Sequence, residues 1–132
     1  MAGRRDHGDV IDHLSIQCAD PAASADFYDH ALAPLGVVRV LDFGAVVGYG
    51  TPPNPDFWIG PAVTGDGFRE VHIAFGAQDR SVVQECFDAA VSAGAVVLHA
   101  PRLWPEYHPG YFGAFVRDPD GNNVEFVCHR PD

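Results

Sequence analysis

The sequence predicts an α+β fold made of two consecutive βαβββ modules, and three observations lead to this prediction. The chain has 132 residues, which suits one domain of ordinary size. Residues 11–20 and 70–79 share a strand-like pattern with histidine third and aspartate last, and they lie 59 residues apart. Each stretch precedes a helical segment and then three β-rich runs. We therefore expect one domain, residues 1–132, with modules near 10–61 and 69–130.

Both predicted helices have recognisable ends. Asp20 can cap the first helix, since its carboxylate can accept a hydrogen bond from a free N–H and a proline follows it. Gly36 lies just past the end of that helix. Asp79 or Ser81 can begin the second helix, and Gly94 can end it. Similar signals in both copies support the same order of elements in each module.

Three β-rich runs follow each helix. The predicted strands are 37–43, 45–49 and 56–60 in the first copy and 96–100, 111–117 and 123–129 in the second. The Asp-Pro-Asp-Gly sequence at 118–121 is a strong turn signal between the last two strands. The glycine- and proline-rich residues 61–67 form the predicted linker between the modules. His99 is expected at the end of a strand.

The charge balance disfavours several classes of function. Eight basic and 18 acidic residues give a net charge of −10, whereas nucleic-acid binding depends on a basic face. Every basic residue is an arginine, so Schiff-base lysine chemistry, covalent pyridoxal attachment and a P-loop are excluded. We expect a small-molecule substrate and no nucleic-acid partner.

Apolar and cysteine content favour a cytoplasmic globular domain. Apolar residues make up 47% of the chain, but they form no run of the roughly 18 residues that a membrane span needs. Residues 1–12 contain no apolar run of signal-peptide length, so we expect a cytoplasmic protein without a membrane partner. The three cysteines, Cys18, Cys86 and Cys128, form no CxxC pair and are expected to be buried free thiols.

Three polar residues lie in strands whose alternate positions are apolar. Because side chains alternate along a strand, His13 and His72 point away from the apolar face of two equivalent strands, and Glu125 does so in the last strand. Each residue taken singly has an ordinary explanation as a hydrogen-bonded or solvated side chain. Two imidazoles and one carboxylate that converge would instead form a 2-His-1-carboxylate metal site. The internal repeat supplies a reason for convergence, since equivalent strands can meet around a pseudo-twofold axis.

These residues belong to sequence blocks that resemble the vicinal oxygen chelate superfamily. That superfamily includes glyoxalase I, extradiol dioxygenases, fosfomycin-resistance thiol transferases and bleomycin-binding proteins. The similarity spans residues 11–129, is most specific over 107–125, and is greatest to small bacterial glyoxalase-like proteins. The blocks that carry it are 11–13, 27–28, 35–36, 57–60, 71–75, 107–115 and 118–125.

The resemblance implies that the two modules form a cupped mixed sheet, with helices on its outer face, around one divalent metal ion. It implies His13, His72 and Glu125 as the metal ligands. Imidazole and carboxylate accept several metals, so Ni, Zn, Fe, Mn and Co all stay open. In many members a second chain completes the cup. The resemblance therefore also implies a homodimer whose site is shared between the chains.

One position departs from the pattern of glyoxalase I. That enzyme has a fourth ligand, a glutamate on the last strand of the first module. Alignment of residues 56–60 with 123–127 places Trp58 at this position. Proton transfer by a pair of glutamates is therefore not expected, and hemithioacetal isomerisation is expected to be weak or absent. The remaining three-ligand arrangement is similar to that of the thiol transferases and the extradiol dioxygenases.

Other residues are expected to complete the site. Glu125 can act as a base as well as a ligand, and Tyr111 can act as a catalytic proton donor. The substrate-binding candidates, which offer aromatic surface or hydrogen bonds, are Trp58, Tyr107, His108 and Phe115. Packing of a long loop is an equally simple explanation for the aromatic residues among them.

The predicted function is that of a metal-dependent glyoxalase-like enzyme, of lyase, isomerase or dioxygenase type, which binds two vicinal oxygens of a small substrate. A metal-free protein that sequesters a ligand, of the bleomycin-resistance kind, is the first alternative. Its usual members lack the metal triad. A purely structural relative that binds nothing is the second alternative.

Overall fold

Each half of the chain folds as a strand, a helix and three further strands, as the sequence predicts. The computed structural model describes residues 10–130. The first module contains β1 (Leu14–Cys18), α1 (Pro21–Leu32), a 3-10 turn (Ala33–Leu35), β2 (Val38–Asp42), β3 (Val47–Gly50) and β4 (Phe57–Pro61). The second module contains β5 (His72–Gly76), α2 (Arg80–Ser92), β6 (Val96–Leu103), β7 (Phe112–Arg117) and β8 (Asn123–Cys128). The α+β class and the βαβββ order are confirmed.

The strands of residues 10–130 form two four-stranded sheets with the same topology. Their strand orders are β1-β4-β3-β2 and β5-β8-β7-β6. In each sheet the first and last strands of the module run parallel, and the other neighbours run antiparallel. A parallel pair needs a long connection between its strands, which the helix and two intervening strands of each module provide. As a result, β1 and β5 each form an edge of their sheet.

The predicted helix ends are confirmed. Asp20 and Asp79 each accept a hydrogen bond from the backbone N–H three residues further on, at 3.2 and 3.1 Å. Gly36 and Gly94 follow the helical segments with φ values of 78° and 95°, a left-handed conformation that glycine adopts without a steric penalty. Strand β6 differs from the prediction, because it continues to Leu103 and passes the expected end at residue 100.

The core lies between the helices and one face of each sheet. Alternate residues of β8, Val124, Phe126 and Cys128, are fully buried on that face, and α1 and α2 pack against each other. All three cysteines are buried free thiols, as the sequence predicts. Burial raises the pKa of the Cys86 thiol to about 12, so that it stays protonated at neutral pH. Neither helix within residues 10–130 has the length and apolar character needed to cross a bilayer.

A buried hydrogen-bond network joins the two modules. Tyr28 of α1 is completely buried, and its hydroxyl donates to Asp118 Oδ2 over 2.6 Å. Asp118 lies in the turn between β7 and β8, where Asn122 donates to it from both its backbone and its side chain. Asp120, in the same turn, accepts from the backbone N–H of Ala19. The turn of the second module therefore holds the start of the first helix in place.

Candidate metal centre

His72 and Glu125 lie on the same face of the second sheet. In the parallel pair of β5 and β8, His72 is in register with Asn123, and Ala74 is in register with Glu125. Paired residues of adjacent strands point to the same side of a sheet. Both side chains therefore lie on the face opposite to the buried Phe126.

The two side chains are in direct contact. His72 Nε2 lies 2.8 Å from Glu125 Oε1. The Glu125 residue is only 1% exposed, whereas 53% of the His72 side chain is accessible to solvent. A buried carboxylate therefore lies directly beneath a half-exposed imidazole, and the imidazole supplies one of the hydrogen-bond partners that burial of a carboxylate requires.

The second carboxylate oxygen of Glu125 also accepts a hydrogen bond. The Tyr111 hydroxyl donates a hydrogen bond to Glu125 Oε2. Burial of the phenol and its hydrogen bond to the carboxylate both disfavour the phenolate, so they raise the pKa of Tyr111 well above its usual value. Tyr111 therefore keeps its proton at neutral pH and acts as a hydrogen-bond donor.

Gly113 provides the space that this contact needs. A Cβ atom added at Gly113 would lie 3.3 Å from Glu125 Oε2 and 3.3 Å from Tyr111 Cε1. Both distances are shorter than ordinary van der Waals contacts. A methyl group at this position would therefore press on the two groups that are hydrogen-bonded to each other.

We expect Gly113→Ala to lower the free energy of unfolding by about 1–3 kcal/mol, because it overpacks the contact between Tyr111 and Glu125. Urea unfolding followed by fluorescence measures the change. Gly76→Ala is the matched control, since Gly76 lies on the same sheet face and a Cβ there would meet nothing within 4 Å. Equal stability of the two variants would contradict this role of Gly113.

Phe115 lies beside Glu125 on the neighbouring strand and forms an aromatic wall with His99 and Trp104. Phe115 pairs with Glu125 across β7 and β8, and its ring centroid lies 5.9 Å from that of His72. The rings of His99 and Trp104 both contact Phe115 edge to face. The wall therefore places apolar surface next to the buried carboxylate. His99 is a site candidate that the sequence pattern does not reveal, and only its pairing with Phe115 places it here.

Tyr107 and His108 lie in the loop that precedes β7, next to Tyr111. The ring centroids of Tyr107 and Tyr111 are 4.9 Å apart. His108 Nδ1 accepts a hydrogen bond from the backbone N–H of Gly110, so its Nε2 carries the proton and donates to His129 Nδ1 over 2.9 Å. Both residues therefore surround Tyr111, and their contact with a substrate stays a prediction.

His13 lies immediately before β1, outside the strands of the first sheet, whereas the sequence pattern places it within a strand. Its Nδ1 lies 2.8 Å from a carboxylate oxygen of Asp12, and more than half of its side chain is exposed. In the part of the chain that the structure describes, no three His, Cys, Asp or Glu side chains converge closely enough to hold a metal ion. One chain by itself therefore brings together two of the three predicted ligands, His72 and Glu125.

Trp58 occupies in the first sheet the position that Glu125 occupies in the second. Ser15 pairs with Trp58 across β1 and β4, as Ala74 pairs with Glu125 across β5 and β8. The indole lies against Gly48, where an added Cβ would approach three ring atoms to within 2.8–2.9 Å. The first sheet therefore presents an aromatic surface at this position in place of a carboxylate.

The pair of His72 and Glu125 suits a divalent metal as part of a larger ligand set. Imidazole nitrogen and carboxylate oxygen are both ligands of divalent transition metals. Their separation of 2.8 Å is compatible with two neighbouring ligands, each about 2.0–2.2 Å from one ion. Tyr111 supplies the hydrogen bond from an outer group that ligating carboxylates usually accept.

Comparison with known proteins gives a consistent family assignment. A model of the glyoxalase-like domain matches residues 13–127. A glyoxalase/bleomycin resistance protein from Albidiferax ferrireducens has a similar structure, with a TM-score of 0.76, 22% identity, and coverage of 91% of this chain and 98% of that chain. Among curated proteins, none matches the sequence.

Two further solved structures have the same fold. The lactoylglutathione lyase from Agrobacterium tumefaciens has a TM-score of 0.67 and 20% identity, and 93% of this chain aligns with 96% of that chain. A glyoxalase/bleomycin resistance protein/dioxygenase family enzyme from Burkholderia phytofirmans has a TM-score of 0.65 and 16% identity, with 89% and 97% covered. At identities this low, the similarity to these solved structures supports the fold and no specific activity. The match to the family model covers most of the sequence, so this chain belongs to the glyoxalase-like domain family of the vicinal oxygen chelate superfamily.

Proposed function

We propose that this protein is a metal-dependent enzyme that binds two adjacent oxygens of a small substrate. His72 and Glu125 of one chain and His13 of a second chain would hold one divalent ion. The observation that carries the proposal is the 2.8 Å contact between His72 and the buried Glu125, on the face of the second sheet opposite to the core. A carboxylate placed there is costly to bury, and metal binding gives a reason for its position.

A homodimer would complete the ligand set. β1 and β5 are edge strands, and unpaired strand edges tend to associate with another chain. Apolar side chains are exposed next to both edges, among them Ile11 and Leu14 near β1 and Val71 near β5. Because the two modules repeat each other, a twofold axis could place β1 of one chain beside β5 of its partner. His13 and His72 occupy equivalent positions in the repeat and would then face one shared space.

The bound metal and the residues around it would each have a separate role in the reaction. The bound metal would supply Lewis acidity toward two adjacent substrate oxygens. Glu125 can accept a proton from the substrate, because it is a carboxylate within reach of the same space. Tyr111 holds Glu125 in position through Oε2. Phe115 excludes water next to the reacting groups.

The single carboxylate favours a reaction of the lyase or dioxygenase type at a metal ion with three protein ligands. With Trp58 at the position equivalent to Glu125, the shared site would have one carboxylate and no partner for a two-base proton transfer. This supports thiol addition or oxidative cleavage over hemithioacetal isomerisation.

Metal analysis tests the proposal. We expect protein supplied with Ni, Zn, Fe, Mn and Co to retain about one divalent ion per chain, and His72→Ala to lose it, because removal of one of three ligands weakens binding strongly. Elemental analysis after dialysis measures the content. His30→Ala is the control, since His30 is exposed on α1, outside the second sheet. Wild-type protein that holds none of the five metals would contradict the proposal.

A metal-free binding protein is the second candidate, and one observation favours it. Both carboxylate oxygens of Glu125 already have hydrogen-bond partners in His72 and Tyr111, so neither oxygen needs an ion to compensate its burial. In this case the aromatic wall would bind a ligand in metal-free protein. Ligand binding that persists after complete removal of metal, together with an absence of retained metal, would support this candidate over the enzyme.

A further inference from the structure

One row of side chains crosses the second sheet from Glu125 to His99. His99 pairs with Phe115 across β6 and β7, and Phe115 pairs with Glu125 across β7 and β8. Directly paired residues point to the same side of a sheet, so His99 lies on the face of the candidate metal centre. Since neighbouring strands are about 4.8 Å apart, His99 stands about 10 Å from Glu125, with the Phe115 ring between them.

The His99 ring is held by packing, and its nitrogens stay available. The ring is nearly perpendicular to Trp104 and to Phe115, at 85° and 84°, with centroid distances of 5.0 and 5.5 Å. Trp104 is itself fixed, because its indole N–H donates to the backbone oxygen of Gly113 over 3.0 Å. Within residues 10–130, the His99 side chain makes no hydrogen bond or ion pair, and the residue is exposed. An imidazole that two ring contacts orient, and whose nitrogens have no partner, can bind a polar group with a reduced loss of side-chain freedom.

We propose that His99 is a substrate-binding residue that recognises an uncharged oxygen or amide group at the far end of the substrate. The proposal rests on the proposed function, which places the two adjacent oxygens of the substrate near His72 and Glu125. Its central part, apolar or aromatic, would pack on Phe115. A hydroxyl, carbonyl or amide at its other end would form a hydrogen bond with His99. Substrates of three carbon atoms are too short to span about 10 Å.

An uncharged group is favoured by the charges around the row. The chain carries a net charge of −10, which opposes the approach of an anion. The nearest arginine on the same strand, Arg102, lies over the Trp104 ring at 3.4 Å and pairs with Glu106. Its charge is therefore already compensated. A neutral imidazole can both donate and accept a hydrogen bond, which suits a hydroxyl or an amide.

Two matched chelating probes test the assignment. Benzohydroxamate offers two vicinal oxygens on a phenyl ring, and its 4-carbamoyl derivative adds only an amide at the far end. We expect the wild-type protein loaded with Zn to bind the 4-carbamoyl probe about fivefold more tightly, as one added hydrogen bond between neutral groups allows. In His99→Gln the preference should fall to about twofold or less, and in the control His30→Gln it should be unchanged. Isothermal titration calorimetry measures the affinities, and elemental analysis measures the metal content.

The outcomes separate this proposal from the proposed function. An equal preference in wild type and His99→Gln overturns the role of His99, as does a failure of metal-loaded protein to bind either probe. A preference that depends on His99 in protein without metal supports His99 and contradicts the metal-dependent function. A third probe, the 4-carboxy derivative of benzohydroxamate, carries a negative charge in place of the amide. If it binds more tightly than the 4-carbamoyl probe, the assignment of an uncharged group is wrong.

Discussion

We expect His13→Ala and His72→Ala each to lose the metal, and to regain it when the two variant chains are combined in one dimer. In a shared site, His13 comes from one chain and His72 with Glu125 comes from the other. A mixed dimer then contains one doubly defective site and about one intact site. Co-expression of the chains with two different tags, tandem purification and elemental analysis measure the recovery, which should reach about half of the wild-type content per dimer.

A second pair of variants provides the control for this experiment. His72 and Glu125 lie in the same module, so a mixed dimer of His72→Ala with Glu125→Gln has no intact site in any arrangement. This mixture should stay depleted of metal. If the mixture of His13→Ala and His72→Ala is equally depleted, the site is not shared. If His13→Ala alone retains the metal, His13 is not a ligand.

Replacement of Asp118 is expected to cause the largest loss of stability. Asp118 is 5% exposed and accepts hydrogen bonds from the Tyr28 hydroxyl and from three groups of its own turn, the backbone N–H groups of Asp120 and Asn122 and the Asn122 amide. Asp118→Ala leaves these donors without an acceptor, at a cost of about 3–5 kcal/mol in the free energy of unfolding. Chemical unfolding followed by circular dichroism measures this change.

Two comparison variants show which part of the loss comes from the link between the modules. Tyr28→Phe removes only the bond from α1 to Asp118, and we expect it to cost about 1.5–3 kcal/mol, the range for a hydrogen bond to a charged group. Burial and the neighbouring Asp118 carboxylate raise the pKa of Tyr28 far above its usual value, so the hydroxyl stays a donor. Asp66→Ala, in the exposed linker, should leave the stability unchanged. A loss in Asp118→Ala no greater than that in Asp66→Ala would contradict the structural role of the turn.

Much of the fold could be predicted because its signals are local. Asp20 and Asp79 cap their helices through the backbone of the next turn, and Gly36 and Gly94 end them through their own conformation. The equivalence of Trp58 with Glu125 follows from the repeat and agrees with the observed strand pairing. In each case the residues that carry the information are close together in sequence or occupy equivalent places in the two repeated modules.

The position of His99 on the face of the candidate metal centre could not be predicted from local sequence. The pairing of β6 with β7 shifts between Val97 and His99, and again between His99 and Arg102. A β-bulge changes the face on which the following residues lie, so alternation counted along the sequence loses its phase. Strand β6 extends beyond its predicted end for a related reason, since pairing with β7 holds its last residues more than their own β propensity does.

Residues close together in the chain were enough to predict the two modules, the ends of their helices and the residue types that could bind a metal. Which of those residues meet depends on how distant strands pair. Glu125 contacts Tyr111 and His72, which are 14 and 53 positions away, because three strands pair in one particular register. The fold of one chain also places His13 just before β1 in the first module and His72 in β5 of the second. Pairing between distant strands depends on hydrogen bonds and packing across the whole domain, and no local pattern of residues specifies it.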